Sequence, residues 1–115
     1  MAPAKATAAI AMVARMAPLE RFQLDGYVVD ALLPDLVGHD RSPSAFLLFL
    51  FLWRRTGGAA RSAVLSHQMA ADGTGLTKRS VQVALRHLVQ RGLVTVRRKT
   101  KTSAAVVALR CEWRR

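Results

Sequence analysis

At 115 residues with a hydrophobic share of 51%, the chain is long enough for one modest core and too apolar for a disordered segment. The single cysteine, Cys111, excludes an internal disulfide and a multi-cysteine zinc site, and reads as a small buried hydrophobe in a reducing cytoplasm. The net charge of +11 is unevenly placed: residues 1–40 hold three basic and five acidic side chains, residues 41–115 fifteen and two. A basic block of that size points to a polyanionic partner.

In chain order, residues 1–18 are an alanine-rich stretch closed by Pro18. Lys5 before the alanines gives them a faint signal-peptide look, but Arg15 interrupts the run, so the segment is read as a mobile tail. Residues 19–41 form a helical extension. Val28, Leu32, Leu33, Leu36 and Val37 recur at helical spacing between Tyr27 and Val37. Pro34 falls inside that run, so the helix kinks or restarts there, and Gly38 is the expected stop. Residues 42–115 are the main domain. Ser42-Pro43 is a cap followed by proline at the first helical position, which predicts a helix from Pro43 to about Arg55, ended by Thr56-Gly57-Gly58.

That helix carries Phe46 to Trp53 with no polar face. Nine consecutive apolar residues, Ala45 to Trp53, fall short of the ~20 that a membrane span needs, so no membrane partner is expected. A helix apolar all round must be covered all round. Leu32 and Leu36 of the extension, with Phe46, Phe49, Leu50 and Trp53, are therefore expected to supply core cover or a homodimer contact.

Arg61 to Leu65 reads as a short strand or extended lead-in. Ser66 then caps a short helix from His67 to about Asp72, Gly73-Thr74-Gly75 turns the chain, and Leu76 plugs the turn. Thr77 caps a helix from Lys78 to Arg91, which Gly92 ends. Leu93 to Arg98 and Ala104 to Trp113 read as two strands of a hairpin around the polar turn Lys99 to Ser103, with Val107, Leu109, Cys111 and Trp113 alternating on one face.

On Lys78–Arg91, Val81, Ala84, Leu85 and Leu88 share the core side, while Arg79, Val83, Arg86 and Gln90 lie opposite, flanked by Gln82 and His87. The helix holds no acid, and its first turn carries Lys78 and Arg79, which the helix dipole disfavours by ~0.3–1 kcal/mol. A phosphate there would offset that cost. Arginine reads guanine and glutamine reads adenine best, and a valine fits a thymine methyl, so Arg79, Gln82, Val83 and Arg86 are the candidate base contacts. Thr77, Lys78, Ser80 and His87, with Arg97, Arg98, Lys99 and Lys101 at the hairpin tip, are the candidate backbone contacts.

The stretch MAADGTGLTKRSVQVALRHLVQRGLV, Met69 to Val94, resembles the winged helix-turn-helix family of small bacterial and phage DNA-binding regulators. The resemblance covers roughly Ser42 to Trp113. It departs in one place, where Gly73-Thr74-Gly75 holds one residue more than the family's usual turn. It implies a mainly α fold with a small β-hairpin (α+β), with Ala70, Leu76, Val81, Leu85, Leu88 and Leu93 in the core and Thr77 to His87 facing DNA. The function it implies is sequence-specific double-stranded DNA binding by a dimeric transcriptional regulator at the bacterial nucleoid. The alternatives are a DNA-binding module of plasmid or phage replication or partition, and a protein-interaction domain. His39, His67 and His87 are scattered and no phosphate-cradling glycine loop is present, so no enzyme activity, metal, cofactor or small-molecule ligand is expected. His39-Asp40 reads as a turn with a cap.

Overall fold

The computed structural model of the chain describes residues 20–58, 61–100 and 104–114. The tail at 1–18, Lys101 and Arg115 lie outside the described residues. The elements are a helical arm of two π-helical turns, Val28–Leu32 and Pro34–His39, then α1 (Pro43–Thr56), β1 (Ser62–Leu65), α2 (His67–Thr74), α3 (Lys78–Gln90), β2 (Val94–Arg97) and β3 (Ala105–Leu109). This is an α+β arrangement with one antiparallel sheet in the order β1-β3-β2. Leu65 pairs with Ala105 and Val94 with Leu109, which turns Leu65, Val94, Ala105, Val107 and Leu109 to the core. No helix among the described residues is long and apolar enough to cross a membrane.

The arm forms where the apolar spacing predicts, but it is wider than an α-helix. Pro34 has no N–H to offer the carbonyl four residues back and its ring would crowd that carbonyl. The arm instead closes five-residue loops: Leu33 N–H donates to Val28 O, and Asp40 N–H to Asp35 O at 2.9 Å. Gly38 therefore does not end the helix as expected. The arm continues through His39 and closes at Asp40. Arg21 to Leu24 has no regular structure.

α1 begins at Pro43 as predicted, although the Ser42 side chain makes no capping hydrogen bond. One chain covers most of this helix. The arm, α2, α3, β1 and β3 all pack on it, and Phe46, Leu48, Phe49, Leu52 and Trp53 are buried. Leu32 and Leu36 meet them from the arm, at 4% and 0% exposure. These residues are core cover within one subunit. Of the two covers expected for α1, the arm supplies most; what it leaves open is Leu47, 44% exposed, and half-buried Leu50 and Phe51, which with Phe22 line a shallow cavity of about 250 Å³.

β3 stops at Leu109, short of the predicted Trp113, and the chain turns at Glu112 and Trp113. The turn is fastened to the arm's N-terminal side. Trp113 Nε1 donates to Asp25 Oδ2 at 2.8 Å, Arg114 forms an ion pair with Asp25, and Tyr27 stacks on Trp113 with ring centroids 4.5 Å apart. Two chain ends separated by almost the whole described sequence are thereby joined.

Candidate nucleic-acid interface

The turn between α2 and α3 is set by two caps and a glycine. Met69 N–H donates to Ser66 Oγ at 3.1 Å, and Ser80 N–H to Thr77 Oγ1 at 3.0 Å, each satisfying a donor that a helix start leaves unpaired. Gly75 ends α2 at φ 80°, a left-handed conformation that costs glycine little. The extra residue in this turn is absorbed by α2, which runs two residues further than predicted, through Gly73 and Thr74. Gly73 sits where α1 comes closest: a Cβ there would lie 2.1 Å from Phe51 Cε1. Leu76 is half-buried against the core beneath the turn, as a plug should be.

α3 buries Val81, Ala84, Leu85 and Leu88 and exposes Arg79, Val83, Arg86 and Gln90 on the opposite side. The structure thus brings three of the four candidate base contacts, Arg79, Val83 and Arg86, onto one open face. Gln82 is not on it. It is half-buried on the flank toward α2, its Nε2 3.4 Å from His67 Nδ1. His87, expected to contact a DNA backbone, turns to the other flank, where its Nε2 lies 2.7 Å from Asp40 Oδ2 in the arm. An imidazole engaged by a carboxylate that is only 7% exposed is withheld from a phosphate at the open face. Thr77 and Lys78 are exposed at the start of α3, and half-buried Ser80 shares its hydroxyl with Thr77. Arg97, Arg98 and Lys99 are exposed where β2 runs out into the hairpin turn. Between α3 and β2 lies a groove of about 350 Å³ lined by His67, Gln82, Arg86, Val89, Val96 and Arg98.

The ion pairs divide the surface. Glu20 pairs with Arg54, Asp25 with Arg114, Asp35 and Asp40 with Arg91, and Glu112 with Arg110. Asp72 accepts from Gln68 Nε2 at 2.7 Å. Among the described residues none of Lys78, Arg79, Arg86, Arg97, Arg98 and Lys99 takes part in an ion pair. The acids therefore pair with arginines away from the open face of α3; Arg21, Arg41, Arg55 and Arg61 are also unpaired among the described residues, but α3 and the hairpin gather six such bases side by side.

No family model, curated protein or solved structure matches this chain. The site is read from its own geometry.

Titration follows the same partition. Hydrogen bonding from Arg114 holds the Asp25 carboxyl below its ordinary value, against partial burial and with help from Trp113. Asp40 is held down by hydrogen bonds from His39 and then His87, with Arg91 adding to them. Burial pushes His67 below its ordinary value, and the charges of Arg98 and Lys78 push it further. Burial raises the Cys111 thiol, the reverse of an activated nucleophile.

One cluster gathers groups that the sequence left scattered. Asp35, His39 and Asp40 bring donor atoms within 4.8 Å of one another, a spacing that a metal ion would accept. Arg91 already pairs with both carboxylates and His87 holds Asp40, so an ion-pair network between arm and α3 accounts for it. Acids five apart on the arm facing His87 and Arg91, four apart on α3, were the available signal.

Proposed function

We propose that this chain is a winged helix-turn-helix protein that binds double-stranded DNA sequence-specifically as a transcriptional regulator. In this reading α2 and α3 are the helix-turn-helix, α3 enters the major groove, and the β2–β3 hairpin lies on the backbone. Arg79 and Arg86 are bidentate donors for guanine, Val83 fits a thymine methyl, and Arg97, Arg98 and Lys99 neutralise phosphates.

One observation carries the reading. Lys78, Arg79, Arg86, Arg97, Arg98 and Lys99 gather on α3 and the adjoining hairpin without a carboxylate partner among the described residues, while Arg54, Arg91, Arg110 and Arg114 each have one. Six bases gathered on one helix face and the adjoining hairpin with no carboxylate among them suit a polyanion, and the helical geometry suits a duplex groove. A salt titration of binding to random duplex tests it. Binding should be clear at low salt and fall steeply as salt rises. Absence of binding at low salt, or a flat salt dependence, overturns the proposal.

A homodimer belongs to the same proposal, and the strip of Leu47, Leu50, Phe51 and Phe22 supports it. Its test is the solution mass, which should be twice that of the chain. A monomer at every concentration rejects the dimer and leaves DNA binding untouched.

A further inference from the structure

His67 opens α2 and walls the groove between α3 and the hairpin. Gln82 lies beside it, Arg86 and Arg98 line the same groove, and Lys78 is near enough to act on its charge. No carboxylate lines this groove among the described residues. A neutral imidazole sits comfortably among three cations in a partly desolvated cleft. An imidazolium there lacks a counter-charge.

We propose that the groove seats one backbone phosphodiester of bound DNA and that His67 is its proton-linked contact, so that affinity rises as the pH falls. The proposal rests on the DNA-binding reading above and adds a phosphate site and its regulation to it. The phosphate supplies the missing anion between His67, Lys78 and Arg98. In its absence burial and the two cations hold His67 below its ordinary 6.5; beside it the imidazolium is stabilised. Binding then takes up a proton wherever the free protein is deprotonated and the complex is not. Across that window affinity rises by up to about tenfold per pH unit of acidification.

The charged groups facing His67 are Lys78 and Arg86 from α3, and Arg98 from the hairpin. His39 and His87 lie on the far flank, against Asp40 and away from the groove.

The test is the affinity of the wild type, His67→Gln and His67→Lys for a short random duplex between about pH 5 and 8 at fixed ionic strength, with circular dichroism confirming the fold at each pH. The wild type should tighten on acidification. His67→Gln should match the wild type at the alkaline end and lose the pH dependence, and His67→Lys should bind tightly with a flat profile. If His67→Gln keeps the wild-type slope, or is weaker by the same factor at every pH, the phosphate contact is wrong and DNA binding stands. If no protein binds DNA at any pH in low salt, both the contact and the reading beneath it fall.

Discussion

Replacing Arg97, Arg98 and Lys99 together by alanine isolates the hairpin's share of DNA binding. All three side chains are exposed and none forms an ion pair among the described residues, so the fold should persist. With Lys78, Arg79 and Arg86 they are the six unpaired bases of the proposed face. On random duplex Arg79 and Arg86 meet no matched guanines and turn to phosphates; if each of the six neutralises one, the log–log slope of affinity against salt is about −5.4, and removing three halves it to about −2.7. Between 50 and 200 mM salt the wild type should then lose about 1,800-fold in affinity and the triple variant about 40-fold. Fluorescence anisotropy with labelled random duplex over that range reads both slopes. A triple variant with the wild-type slope would refute the assignment of the hairpin to the backbone. Loss of all salt dependence would refute the share given to α3.

Three further outcomes follow from the same structure. Leu36→Ala, at a fully buried position that seals the arm on α1, should destabilise the protein by about 2–5 kcal/mol in urea unfolding, whereas a surface-docked arm would cost almost nothing. Against DNA selected from a random pool, Arg79→Ala and Arg86→Ala should each reduce discrimination between selected and random sequences by about 1–3 kcal/mol, while Arg98→Ala weakens both about equally. Stability against pH should fall in two stages. Burial, with Arg98 and Lys78, lowers His67 in the fold, so the unfolded chain takes its proton first and stability declines as the pH falls below about 6.5, a loss that His67→Gln removes. Asp25 and Asp40 are depressed, so their contribution is present above about 3.8 and disappears as the pH falls through their lowered values, an acid limb that Asp25→Asn should shrink in thermal melts.

Local signals were legible in the sequence. The Ser66 and Thr77 caps, the start of α1 at Pro43 and the buried stripe of α3 all depend on residues within a turn or two of one another. What escaped depends on distance or on fine geometry. Spacing on the arm predicts a helix, but not that Pro34 widens it into five-residue loops past Gly38. The apolar run of α1 says that cover is required and cannot say whose; the arm supplies most of it and leaves Leu47 open. Gly73 looked like turn material, and only its approach to Phe51 explains why a glycine stands inside the helix there. His87 and Gln82 flank the open face in projection, and their partners Asp40 and His67 lie 47 and 15 residues away, beyond any local pattern. Charge asymmetry was read correctly as a basic half and an acidic segment, but not as a segment that neutralises the arginines of the other face.

The central claim is that duplex DNA lies on the open face of α3 and the hairpin. Amide chemical-shift mapping of the isotope-labelled protein against random duplex at low salt tests it most directly. The account predicts shifts concentrated at Thr77 to Arg86 and Arg97 to Lys99, with Val28 to His39 unmoved. Shifts centred on the arm or on the Leu47–Phe51 strip, or none at all, would contradict it.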